Sequence, residues 1–371
     1  MKSITRALAL VGAGALTLAA CGTAPEETDG GGGSDAGGAS SDYKACMVSD
    51  SGGWDDKSFN ESSYNGLLAA EEDLGIEKAS AESTAVSDFA PNINNMVTQQ
   101  CDLIITVGFL LAPATGDAAQ ANPETDFAIV DSTAQDADGE PIEVENVKPI
   151  EFNTAEAAFL AGYLAAGTTE TGKVATYGGM NIPTVTIFMD GFVDGVAHYN
   201  DTHDTDVEAL GWDKEAQQGS FTGDFEDQSK GKAVSDEFYN AGADIVMPVA
   251  GPVGAGTLAS AKEADDRMVI WVDADGFETN SSDEDAQAVI LTSVMKEMST
   301  AVEDVISGAA DGQFDGTPYV GTLENGGVGL APFHEFEDDV PAELTEELES
   351  LKQEIIDGSV VVESAAAPAE A

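Results

Sequence analysis

CMVSDSGGWDDKSFN, residues 46–60, is the stretch on which the fold turns. A short apolar run, Cys46-Met47-Val48, gives way to polar residues and to the pair Gly52-Gly53, which lets the chain turn tightly. Behind it Tyr64, Leu67, Leu68 and Leu74 recur at helical spacing. Ser58 or Asn60 is placed to cap that helix, and Phe59 is left at the mouth of the turn. The same cadence returns along the chain, with short apolar runs at residues 103–107, 127–130, 147–152, 174–177, 245–249, 269–272 and 289–291. Helical stretches lie between them, most clearly residues 184–199. There Val185, Phe188, Met189, Phe192, Val196 and Tyr199 form one apolar face, on which Phe188 and Met189 read as core. Strands alternating with helices predict an α/β fold with parallel sheets covered on both faces. In such folds ligands bind beyond the carboxyl ends of the strands.

The strand ends are polar in a consistent way. The first leads into Asp50 and Ser58-Phe59-Asn60, the third ends in Gly108-Phe109 and the fourth in Asp131. A later one reaches Gly251-Pro252 and the next Asp273-Ala274-Asp275. One carboxylate at a strand end is commonplace. Four at converging ends suit a polyhydroxyl or amino-bearing ligand, which needs hydrogen-bond acceptors.

At the N-terminus Lys2 and Arg6 precede an apolar, small-residue run over 7–20, and Leu18-Ala19-Ala20-Cys21 closes it. This is the layout of a bacterial lipoprotein signal, and the run is shorter than the roughly 20 apolar residues a spanning helix needs. Lipid chains on Cys21 would anchor the protein on the outer face of the cytoplasmic membrane. Residues 22–42 are Gly, Ser, Ala, Thr and acids, the composition of a flexible leash.

Across the chain 69 acidic side chains stand against 14 basic ones, for a formal charge of −55, and losing Lys2 and Arg6 with the signal makes it −57. Nucleic-acid binding, which needs a basic footprint, is excluded. The acids are spread without a calcium-loop motif, so they read as a solvated surface suited to a saline or extracellular setting. Cys46 and Cys101 stand before or within strands that a 2-1-3 sheet order makes neighbours, so they are either disulfide-bonded or two buried thiols.

Several segments, taken in order, resemble the basic membrane protein family, the purine-nucleoside-receptor-like substrate-binding lipoproteins of ABC transporters. They are DSGGWDDKSFN (50–60), ITVGF (105–109), FAIVD (127–131), FLAGY (159–163), Gly178-Gly179, Gly191-Phe192, FEDQSKG (225–231), GADI (242–245), VDAD (272–275), TSVMK (292–296) and GGVG (326–329). The resemblance covers nearly the whole body, and the first segment is its most specific part.

It implies a type I periplasmic-binding fold, two Rossmann-like lobes joined by three crossovers near 149–153, 292–296 and 315–321. The expected organisation is a signal over 1–20, the lipidated cysteine and linker over 21–42, and an N-terminal lobe of 43–150 plus 293–315. A C-terminal lobe of 151–292 plus 316–362 and a disordered tail over 363–371 complete it.

The resemblance also implies a nucleoside, purine by expectation, with its base between Phe59 and Phe225. Asp50, Asn60 and Asp131 would read the base, Gly108, Phe109 and Gly251 would line the wall beside Ser58, and Asp273 or Asp275 with Lys296 would hold the ribose. The residues taken alone leave alternatives: Phe225 as core, Asp131 as a turn cap, Lys296 as a helix-surface lysine. The sequence departs from the family pattern at Trp54 and at Gly276, where a glutamine is frequent. ABC permease subunits are the implied partners of a monomer, and no cofactor or metal is implied. A sugar-binding or signalling receptor on the same scaffold is the rival reading. A hydrolase is disfavoured because His198, His203 and His334 fall in polar loops or helix ends with no Gly-x-Ser-x-Gly elbow.

Overall fold

The computed structural model describes residues 43–369. In chain order its strands are β1 (Lys44–Ser49), β2 (Glu77–Ala81), β3 (Leu103–Val107), β4 (Asp126–Val130), β5 (Val147–Phe152), β6 (Lys173–Gly178), β7 (Glu208–Leu210), β8 (Trp212–Asp213), β9 (Gln218–Gly219), β10 (Ile245–Val249), β11 (Met268–Asp273), β12 (Ile290–Lys296), β13 (Tyr319–Gly321) and β14 (Val328–Leu330). The helices are α1 (Phe59–Leu74), α2 (Val86–Thr98), α3 (Ala112–Ala121), α4 (Thr154–Thr168), α5 (Pro183–His203), α6 (Gln228–Asn240), α7 (Ala255–Ala261), α8 (Gly276–Thr279), α9 (Glu284–Gln287), α10 (Met298–Ala310) and α11 (Ala342–Ile356).

Two six-stranded sheets organise them, one in the order β13-β5-β4-β3-β1-β2 and the other β14-β12-β11-β10-β6-β7. All pairings in the first are parallel, and in the second only β12 with β14 runs antiparallel. Central strands such as β3, LIITV, are buried on both faces, which is why they read as unbroken apolar runs. Helices cover both faces of each sheet, giving two α/β lobes and the type I periplasmic-binding architecture.

In the second lobe α4 and α5 lie unusually close. A Cβ at Gly162 would overlap the Phe192 carbonyl oxygen and one at Gly195 that of Phe159, so both approaches require glycine. That contact fixes α5, whose N-terminal turn faces the other lobe across the cleft described below.

Sheet membership moves several expected boundaries. Residues 292–296 are not a crossover. They are the last part of β12, paired with β11 as Trp271↔Ser293 and Asp273↔Met295, so the chain crosses after Lys296, before α10 packs on α1. Residues 316–321 do not belong to the second lobe, since β13 extends the first sheet beside β5 as Tyr319↔Ile150. The third crossover falls between Gly321 and Val328. Likewise β5 carries the first lobe to Phe152.

The tail over 363–369 is ordered against the second lobe: the Ser364 hydroxyl donates to Asp190 Oδ2 at 2.6 Å, and Lys214 Nζ donates to the Glu363 carbonyl. Its small-residue composition hid these two polar anchors. Cys46 and Cys101 are disulfide-bonded, with Cα atoms 5.9 Å apart. The signal, Cys21 and the linker lie outside the described residues, among which no helix is long and apolar enough to cross a membrane.

Candidate ligand-binding cleft

The carboxyl ends of both sheets face one another across a narrow slot. Asp50, Asp56, Phe59, Asn60, Gly108, Phe109 and Asp131 line it from the first lobe, and Phe225, Gly251, Asp273 and Lys296 from the second. The free volume between its walls is about 60 Å³, so the lobes stand close together across it.

The loop after β1 is held by a carboxylate that the sequence did not single out. Asp56 accepts the backbone N–H groups of Ser58 (3.0 Å), Asn60 (2.9 Å) and Glu61 (2.9 Å), so it, and neither Ser58 nor Asn60, satisfies the start of α1. This pins Phe59 and Asn60 toward the slot. Burial lifts the Asp56 carboxyl to about 6 despite those three donors.

At one end of the slot Asn60 Nδ2 donates to Asp50 Oδ1 at 3.0 Å and to the Ser51 carbonyl at 3.3 Å, which orients the amide. Its Oδ1 is then buried with no hydrogen-bond partner among the described residues, an acceptor open to a ligand N–H. Burial lifts the Asp50 carboxyl to about 8, so near neutral pH this group carries a proton and can donate.

The other end is ionic. Asp131 and Asp273 close their strands in left-handed conformation, with φ of 61° and 72°, which non-glycine residues adopt at a cost and most readily as Asp or Asn. Lys296, at the end of β12 and 4% exposed, pairs with Asp131 Oδ2 and lies 3.4 Å from Asp273 Oδ1. Burial works against its charge, but the two carboxylates outweigh burial and hold its pKa above the usual lysine value. Its Nζ also sits 5.1 Å from the Phe59 ring centroid and 5.0 Å from that of Phe188, within cation–π range. Asp131 is therefore grouped with Lys296 and Asp273.

Two other expected residues stand outside the slot. Ser58 is buried behind Asp273 and donates to its Oδ2 at 2.8 Å across the lobes, orienting the acid without lining the space. Asp275 turns away, because the left-handed bend at Asp273 breaks the strand's side-to-side alternation. It caps α8 through the Phe277 N–H at 3.0 Å and pairs with His334 Nε2 at 2.8 Å. Trp54 stacks on Tyr64 at 4.6 Å and does not line the slot. At Gly276 a Cβ would come within 2.6 Å of Trp271, whose indole N–H donates to the Lys57 carbonyl of the opposite lobe at 3.2 Å. Here the Trp271 ring of the same lobe, reaching over to Lys57, fills the space a side chain at 276 would take.

The slot is also lined by Ile182, just before α5, and by Thr184, Val185 and Phe188 at its start, none of which the sequence assigned to the site. Phe188 is 1% exposed, so its reading as core was right about burial and silent about Lys296 above it. The signal was available in the position of α5, directly after the end of β6.

Comparison with known proteins agrees with this architecture. The family profile described as ABC transporter substrate-binding protein PnrA-like matches residues 43–365. A Lactococcus lactis protein named ABC transporter nucleoside-binding protein BmpA is 33% identical over 338 residues, covering 87% of this chain and 90% of that one. The CD4+ T-cell-stimulating antigen of Listeria innocua is 31% identical over 379 residues, covering 98% and 99%. A crystal structure of ABC transporter solute-binding proteins from Aeropyrum pernix superposes with a TM-score of 0.76 at 25% identity, covering 86% of this chain and 94% of that one.

Proposed function

This chain belongs to the PnrA-like, basic membrane protein family of ABC transporter substrate-binding proteins, and from that premise we propose that it captures a nucleoside, purine by preference, between its lobes. The observation that carries the reading is that two aromatic residues from opposite lobes, Phe59 and Phe225, line one slot together with the Asn60–Asp50 pair and the Lys296 cluster. A flat base lies between the rings, each face contributing about 1–3 kcal/mol. Its N–H donors meet Asn60 Oδ1, and its acceptors meet the protonated Asp50. At the far end Asp273 and Asp131 accept from vicinal hydroxyls, while Lys296 donates to their oxygens and offsets the buried negative charge.

Ligand that touches both lobes favours the shut state through contacts the open state lacks. The shut protein then engages the permease subunits of an ABC transporter. Two lipid chains on Cys21 would keep it beside them on the extracytoplasmic face. Titration calorimetry of the purified protein with inosine, adenosine, guanosine, cytidine, uridine and free ribose tests the reading. Purine nucleosides are expected to bind and ribose is not. Ribose binding as tightly as any nucleoside would show that the rings hold no base.

A further inference from the structure

A second chamber, of about 220 Å³, opens beside the slot. Phe109, Asp131, Thr184 and Lys296 wall both spaces, so a pentose held at the ionic end would lie at the passage between them. Its walls mix polar side chains, Ser132, Gln135, Glu151 and Thr154, with apolar ones such as Phe152 and Ile187, and Ala366 and Pro368 of the anchored C-terminal segment lie along it. Thr154 is wholly buried, and its hydroxyl has no hydrogen-bond partner among the described residues. Buried hydroxyls without partners are uncommon, and one in a chamber wall becomes available to an entering group once a small shift of the wall uncovers it.

Resting on the nucleoside reading, we propose that this chamber is a subsite for an uncharged or cationic polar substituent on the pentose, so that the protein takes sugar-modified nucleosides as well as plain ones. Thr154 and Gln135 supply both donors and acceptors to such a group. An anionic substituent is rejected, because it would meet Asp131 and Glu151 while the lysine at the passage is already shared between two carboxylates. Burial, and then the charge of Asp131, raises the Glu151 pKa, in keeping with a wall that tolerates no further negative charge.

The test compares, by calorimetry, the nucleoside that binds best with its 5′-N-ethylcarboxamide and its 5′-monophosphate. The carboxamide is expected to bind within about threefold of the parent or more tightly, and the monophosphate at least about a hundredfold more weakly. Thr133→Phe fills the chamber away from the slot and should cost the carboxamide about tenfold or more, while leaving the parent within about threefold. Thr154→Val, nearly isosteric, should weaken the carboxamide alone and serves if the larger side chain impairs folding. A carboxamide that binds about a hundredfold more weakly than the parent to the unaltered protein, or one indifferent to both substitutions, overturns the subsite. Failure of every plain nucleoside to bind would instead remove the reading on which it rests.

Discussion

Replacing Lys296 with methionine removes the one cation at the ionic end of the slot and leaves Asp131 and Asp273, both less than a tenth exposed, facing each other without compensation. Breaking a buried pair in this way costs about 3–5 kcal/mol. The loss should depend on pH, since one of the two acids relieves it by taking a proton in the folded state. A carboxyl whose folded pKa is raised above its unfolded value contributes stability that is complete at low pH and is lost as pH rises through the folded value. Lys296→Met should thus be most damaging near pH 7.5 and markedly less so near pH 5, as read by urea unfolding at each pH. Adding Asp131→Asn should restore most of the stability by removing one of the two repelling charges. Nucleoside affinity should not return with it, because hydrogen bonds to a charged group worth about 1.5–3 kcal/mol, roughly ten- to a hundredfold, are still missing. A loss below about 1 kcal/mol with no pH dependence would mean that the lysine is not held between these acids, and the argument would fail.

Other consequences follow from the same geometry. With Asp50 lifted to about 8, the folded protein binds a proton there that the unfolded chain has lost, so stability should fall with rising pH by up to about 1.4 kcal/mol per unit between the two values. Asp50→Asn should flatten that slope in unfolding curves taken from pH 5 to 9. Removing the Cys46–Cys101 bond, which spans 55 residues, by a double change to alanine should cost about 4 kcal/mol, measured by denaturation under non-reducing conditions. Gly276→Gln should destabilise by about 1–3 kcal/mol, because its Cβ meets Trp271, and Trp271→Leu in the same chain should recover part of the loss.

Much of the architecture was legible because parallel strands buried on both faces leave plain apolar runs, as in β3 and β10, and because acids at their ends mark where a ligand sits. Edge strands escaped notice: β2, EKASA, is half exposed and carries no such run. Asp56 was missed as the cap of α1 because its carboxylate reaches forward over the loop to three amides, a geometry that spacing does not announce. Asp273 and Asp275 are indistinguishable on paper. A single left-handed residue sends one into the slot and the other toward His334. Phe188 obeyed helical periodicity so well that its second role, beneath Lys296, was hidden by the first. The ordered segment over 363–369 depends on Ser364 finding Asp190, a contact between residues 174 apart in sequence that composition does not reveal.

A crystal structure of the protein soaked or grown with the nucleoside that binds best would test the central claim most directly. The base should lie flat between the Phe59 and Phe225 rings, with an N–H on Asn60 Oδ1 and the pentose hydroxyls on Asp273. A base lying outside those rings, or a sugar in the place between them, would contradict it.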